Sequence, residues 1–299
     1  MATPQPGIFA EGSAFHYFLE YSVTAESDPA SICLAVKRLR EQLGNMPTSC
    51  VIGFGDQLWR RVGPEPRPAQ LLRAEEVKGW NDHDVPATQR DLWVWIHGSD
   101  FSENFDCMRS TQQHLSEITN LELDLVGFTY RASQDLTGFI DGTANPKGDE
   151  RQQVALIPEG DAGDGGTYAL TQKWVHNLAS FEGLSIPEQE KVIGRTKVEN
   201  VELEGDAMPP DSHVARTDFS VDGVAQKIYR RSAPYGSATE QGLYFVAFAL
   251  DPDRFHAHLD RMFGQSRDGV HDKLIEFSRL ETNSVWFVPS LEDLDHIGG

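Results

Sequence analysis

Phe15–Val23 reads FHYFLEYSV, and residues 121–130 read LELDLVGFTY. Both runs carry the aromatic and branched side chains that favour strands, and the interval between them decides the fold. Residues 29–43 set Ile32, Val36, Leu39 and Leu43 at helical spacing. Residues 50–62, broken at Gly53 and Gly55, and residues 92–96 (LWVWI) read as two strands. Residues 105–118 place Met108, His114, Leu115 and Ile118 on two helical rows. The order is therefore strand, helix, strand, strand, helix, strand.

That order is the ferredoxin-like unit. After Pro146 come two polar, glycine-rich stretches, 147–151 and 159–166, that read as a long loop or domain connection. Beyond them the pattern repeats. Strand-like runs occur at 167–178 (TYALTQKWVHNL), 225–229, 242–250 (GLYFVAFAL) and 284–289 (SVWFVP), with helices at 187–193 and 252–262. The expected class is α+β, two ferredoxin-like domains with antiparallel sheets, spanning residues 1–146 and 147–299. No short repeat, low-complexity tract or heptad run suggests a solenoid or coiled coil.

The 299 residues suffice for two domains at about 150 each. Lys and Arg number 26 against 46 Asp and Glu, a net charge of −20, which repels phosphate backbones and anionic lipid. A nucleic-acid or membrane-surface role is disfavoured. Cys33, Cys50 and Cys107 lie far apart in sequence and form no zinc or c-type haem spacing; a disulfide framework is not expected. With no basic and apolar leader at the amino terminus and no apolar run of about 18 residues, the expected compartment is the cytoplasm.

Three segments carry candidate chemistry. Gly138-Phe139-Ile140-Asp141-Gly142 sets one carboxylate between glycines that let backbone approach a flat ligand, although an Asp-Gly turn alone explains the pattern. His213 follows Met208-Pro209-Pro210, where the prolines extend the chain; a lone imidazole is more often a surface or satisfied core residue than a metal ligand. His256 and His258, two apart on a helix, diverge and cannot share one ion. Arg230 and Arg231 end a strand and must point to opposite faces. Such pairs are mostly solvated, yet one inward guanidinium would suit an anionic ligand.

Taken together, GFIDGTANP at 138–146, EQEKVIGRTK at 188–197, SHVART at 212–217, KIYRRSAPYG at 227–236 and LYFVAFALDP at 243–252 resemble, in order and over nearly the whole chain, the dye-decolorising haem peroxidases of the bacterial B type. The resemblance implies one haem b per chain, held in the carboxyl-terminal half and covered on its distal side by the GxxDG loop. It makes His213 the proximal iron ligand, Asp141 the distal acid, Arg230 the distal arginine and Ser232 a small polar distal group. Gly138, Ile140, Gly142 and Arg230 would border the haem. A carboxylate is needed to fix the His213 tautomer, with Asp272 the first choice and Glu276 and Glu281 the rivals. A solvated helix acid explains Asp272 equally well.

The activity implied is peroxide reduction through a ferryl intermediate, with small organic donors such as dyes and phenols supplying electrons. Dyes too bulky for the pocket would be oxidised at the surface. Trp174, Tyr235, Trp286, Trp93 and Trp95 are conceivable relays, but aromatic strand residues are usually core and none is assigned. A deferrochelatase is an alternative, as is a non-enzymatic haem carrier or sensor, though a carrier needs no distal acid and arginine. A homo-oligomer is expected; residues 290–299 (SLEDLDHIGG) are polar and acidic, but too weak a match to claim an encapsulin shell as partner. A carboxylate base stays ionised at lower pH than an imidazole (pKa ~3.9 against ~6.5), so turnover is expected to persist into acid. A steady-state rate at about pH 4 far below that at pH 7, with circular dichroism unchanged, counts against Asp141 as the base.

Overall fold

The computed structural model describes residues 2–68, 70 and 73–299. The first half runs Phe15–Val23 (β1), Pro29–Gly44 (α1), Ser49–Phe54 (β2), Asp56–Val62 (α2), Leu92–Gly98 (β3), Phe101–Leu115 (α3) and Thr119–Phe128 (β4). The second half begins with Glu150–Ala155 (α4), Thr167–His176 (β5), Leu178–Glu182 (α5), Ile186–Ile193 (α6) and His213–Thr217 (α7). A small hairpin, Ser220–Val221 (β6) and Val224–Ala225 (β7), precedes Tyr229–Arg230 (β8) and Ala233–Gly236 (β9). Gln241–Ala249 (β10), Asp253–Met262 (α8), Ser278–Val288 (β11) and Leu291–Asp295 (α9) complete the chain.

The β-α-β-β-α-β expectation holds, and both halves build the same four-strand order. In the first it is β2-β3-β1-β4, and in the second β11-β5-β10-β9, all antiparallel. The halves are not separate sheets. β2 meets β11 at Phe54 and Phe287, β4 meets β9 at Gly127 and Tyr235, and β5 pairs with both β10 and β11, so the strands close a ring. β8 shares the β9 edge of β10.

Closure gives each strand an inner and an outer face, both largely buried in β1, β2 and β3, and strand periodicity sorts the side chains. Phe18, Trp93, Trp95, Tyr244, Phe248 and Trp286 fill the interior, with Phe18 and Tyr244 rings stacked at 4.1 Å. Leu19, Tyr21, Val94 and Ile96 point outward under α1 and α3. This explains LWVWI, in which every residue is buried. Trp174 and Tyr235 are also buried, so all five conceivable relays are packing residues rather than surface ones.

Several sequence boundaries are corrected. Only 50–54 of the 50–62 run is strand, because Gly55 starts α2, whose Leu58, Trp59 and Val62 pack inward. α3 begins four residues earlier than the periodicity suggested, where Asp100 accepts hydrogen bonds from Ser102 N and Glu103 N. Residues 150–151, taken as loop, open α4. The 225–229 strand is two short pieces of different sheets, β7 and β8. The acidic carboxyl-terminal segment is no loose tail: Leu294 and Ile297 are in the core, and Gly298 N donates to Val62 O. Among the described residues, no helix is long and apolar enough to cross a membrane.

The interior also holds one acid. Glu20 on β1 is buried and accepts hydrogen bonds from Tyr244 Oη at 2.6 Å and Thr171 Oγ1 at 3.3 Å. Burial pushes its carboxyl from 4.5 up to about 7, against the pull of those donors. The folded state thus holds a proton that the unfolded chain releases. The stabilisation is present below pH 4.5 and is lost as pH rises through 7, about 3 kcal/mol in all. Glu20→Gln is expected to remove this contribution, so urea-unfolding free energies of variant and parent should diverge by about that much between pH 5 and 8.

Candidate active site

His213 is the first residue of α7. Ser212 caps the helix, its Oγ accepting from Ala215 N, while its own hydroxyl donates to Pro209 O. A reciprocal staple fixes α7 to α8: the buried Arg216 donates to Arg261 O, and Arg261 donates to the carbonyls of Arg216 and Ala215. The imidazole is fixed as well. His213 Nδ1 donates to Asp272 Oδ2 at 2.6 Å, and Asp272 is fully buried, its Oδ1 accepting from Leu274 N. Of the three acids weighed from sequence, Glu276 instead pairs with His271, and Glu281 with Lys173 and Arg279. Asp272 caps a 3-10 turn at Lys273–Glu276 and is not a solvated helix acid.

Asp141 and Arg230 reach the same cavity from elsewhere. Gly138 (φ 88°) and Gly142 (φ 81°) take the left-handed conformation that turns the Asp141 loop back on itself. Asp141 N donates to Ser133 O, and Asp141 Oδ1 accepts from Gly142 N at 2.6 Å. Asn145 then binds the backbone of Arg230 twice, at 2.8 Å each, through Nδ2 to the carbonyl and Oδ1 to the amide. The outcome is an Arg230 Nη2 to Asp141 Oδ1 separation of 4.0 Å. Arg231 points the other way, over the Trp95 ring and onto the carbonyls of Ile8 and Ala10, as strand alternation requires.

Asp141, His213 and Arg230 line an apolar cavity of about 110 Å³ against Trp174, Phe245 and Phe255, and an adjoining one of about 320 Å³. On the far side, a space of about 580 Å³ also touches Asp141 and Arg230 and includes Ser232 and Gly142. The acid and guanidinium therefore stand between an open vestibule and the His213 cavity. Ile140 lines the outer part of that cavity. Ser232 borders only the vestibule, its Oγ accepting from Val246 N, and Gly138 lies against Lys197 instead of the cavity.

Sequence reasoning missed three residues here. Asn145 stands in the 138–146 segment with no role assigned from sequence, and its clamp on Arg230 spans 85 residues. His258 lines the cavity; burial, and after it the charge of Arg230, lower it to about 4, and its Nε2 donates to Gln226 O at 2.8 Å. His176 on β5 also faces the cavity, held between Ser278 Oγ at 2.6 Å and Asp135 Oδ1 at 3.2 Å. Only the outward phase of β5, shared with Gln172 and Trp174, signalled it. Asp135 ties this histidine to the Asp141 loop, accepting from Thr137 and donating its own N–H to Phe139 O.

The chain is thus an α+β barrel of two ferredoxin-like halves in which a carboxylate-bound imidazole faces an acid and a guanidinium across an apolar cavity. The chain belongs to the Dyp-type peroxidase family: its N-terminal family model matches residues 5–129 and its C-terminal model residues 132–293. It is 34% identical over 252 residues to the dye-decolorizing peroxidase of Mycobacterium tuberculosis, covering 83% of this chain and 75% of that one. The Brevibacterium linens dye-decolorizing peroxidase is 34% identical over 255 residues, covering 84% and 69%. Among solved structures, DyPB from Rhodococcus jostii RHA1 superposes with TM-score 0.91 at 34% identity over 99% of both chains. A dyp-type peroxidase protein from Shewanella oneidensis does so with 0.90 at 33% over 98% of both. Variants of the R. jostii protein have been solved in complex with heme.

The His176 to Asp135 pair generates a stability prediction. Burial alone would raise Asp135, but the hydrogen bond and charge of His176, with Thr137, bring it down to about 2. A depressed carboxylate stabilises the fold above its ordinary 3.8 and ceases to as pH falls through 2. His176→Ala should cost about 2–4 kcal/mol at pH 7 by stranding a buried carboxylate. In urea unfolding, that deficit should shrink as pH drops from about 4 toward 2.

Proposed function

We propose that this chain binds one haem b and reduces hydrogen peroxide at the expense of small organic donors. The observation that carries this reading is the His213 Nδ1 to Asp272 contact of 2.6 Å. It commits the Nδ1 proton to a buried carboxylate and leaves Nε2 as the lone-pair nitrogen of a ring that lines an apolar cavity. Among the described residues, Nε2 makes no hydrogen bond. That donor set fits a haem iron: one imidazole whose tautomer is fixed by its carboxylate, with no further metal-ligating cluster among the described residues. Arg195 and Lys227, each paired with a glutamate, stand on the wall of the outer cavity and would be available to the haem propionates.

Bound haem iron would supply the two electrons that split the peroxide bond and take them back singly from donors. The chain's residues do the rest. Asp141 is placed to take the proton from the inner peroxide oxygen and return it to the outer one, directly or through a water, so that water leaves. Arg230, 4.0 Å from that carboxylate, offsets the negative charge that grows on the oxygens as they part, a preorganised contact typically worth ~3–4 kcal/mol of barrier. The vestibule of about 580 Å³ is the route for peroxide. Three free thiols support a reducing compartment, and we place the protein in the cytoplasm.

Hemin titration followed by absorbance, then rapid mixing with peroxide, tests the reading. The parent should take up one haem per chain, and His213→Ala should weaken uptake at least about tenfold. Arg230→Leu should keep haem but slow the peroxide reaction about 10²–10³-fold, more than Asp141→Ala does. Full haem uptake by His213→Ala, or an unslowed Arg230→Leu, overturns the proposal.

A further inference from the structure

Two of the three cysteines, 57 residues apart in sequence, meet in space. Cys50 on β2 and Cys107 on α3 have their Sγ atoms 3.5 Å apart, with the Thr48 hydroxyl 3.9 Å from Cys50 Sγ. Cys33 is buried elsewhere against Gly298. The pair lies outside the His213 cavity, and the proposed peroxide chemistry does not use it. We propose that Cys50 and Cys107 form a modification site that hydrogen peroxide oxidises to an intramolecular disulfide.

The contact is short of a bond by about 1.5 Å, since a disulfide measures about 2.05 Å. Rotation of two side chains that already touch covers that difference. The pair reaches solvent on the Cys50 side, where the residue is only partly buried, whereas Cys107 is fully enclosed. Either sulfur can donate across the contact, so each thiol can ease loss of the other's proton. Peroxide arriving from solvent meets Cys50 first, which makes Cys50 the nucleophile and the enclosed Cys107 the resolving group.

In the first step the Cys50 thiolate attacks one peroxide oxygen. A sulfur–oxygen bond forms, the oxygen–oxygen bond breaks, and hydroxide leaves to take up a proton. In the second step Cys107, giving up its proton, attacks the sulfenic sulfur of Cys50; the sulfur–sulfur bond forms, the sulfur–oxygen bond breaks and water departs. Two thiols are oxidised and one peroxide becomes two waters, so no further oxidant is needed. The bond would tie α3 to β2 across a loop of nearly 60 residues and restrict the unfolded chain. The site forms its lock when peroxide accumulates. The inference is independent of haem, because neither cysteine touches the His213 cavity.

The test treats the purified protein with excess hydrogen peroxide without donor, alkylates remaining thiols, and maps peptides by mass spectrometry. The expected product is a Cys50–Cys107 cross-linked peptide, two mass units lighter than the two thiols, reversed by dithiothreitol, with Cys33 alkylated. Oxidation should raise Tm by about 5 °C, and Cys50→Ala or Cys107→Ala should abolish that rise. Recovery of both cysteines alkylated, or oxidised to sulfinic acid without any cross-link, overturns the proposal using the unmutated chain alone.

Discussion

β5 is hydrogen-bonded along both edges, to β10 on one side and β11 on the other, and the whole molecule depends on that double pairing. A ferredoxin-like half has two open edges. Here the edges of one half are covered by those of the other, at Phe54 with Phe287 and at Gly127 with Tyr235, which removes the unpaired edges that invite aggregation. Closure also creates a dry interior that takes four large aromatics from β1, β3 and β11 and a single acid. Because neighbouring residues of a strand face opposite ways, the same β10 sends Tyr244 to that interior and Leu243 and Phe245 to the His213 cavity.

The cavity is a product of distant segments. The imidazole comes from α7, its carboxylate from the turn after α8, the acid from the loop after β4 and the guanidinium from β8. No two of these are neighbours in sequence, and each is fixed by a local device: a helix cap, a buried carboxylate, left-handed glycines, an asparagine clamp. The electrostatics follow the same division. On one side a buried carboxylate sets the tautomer of a ring; on the other a half-buried acid and arginine face each other without fully neutralising, which leaves both free to act on a third group.

Much of this was legible in the chain itself. The spacing of Ile32, Val36, Leu39 and Leu43 delivered α1, and the aromatic runs delivered β1, β3, β5 and β10. Gly138, Asp141 and Gly142 announced a turn, and the Arg230-Arg231 pair had to split between faces. What escaped depended on tertiary contact. α2 was hidden because Gly53 and Gly55 masked a seven-residue helix, and β9 because Pro234 argues against a strand. Asp272, Glu276 and Glu281 were indistinguishable until their partners were in place. Asn145 has no local signature, and His176 only the phase of β5. The closest approach of Cys50 to Cys107 likewise appears only once α3 lies across β2.

The Asn145 clamp has a mechanical corollary. Because the loop and β8 are fastened by two hydrogen bonds of 2.8 Å, thermal wobble carries Asp141 and Arg230 together as a single jaw. His213, rooted through Arg216 and Arg261 in α8, is the opposing jaw. The gap between the jaws is the soft coordinate of this vise, and the spacing within each is the stiff one. Objects of different thickness can be gripped without disturbing the relation between acid and guanidinium.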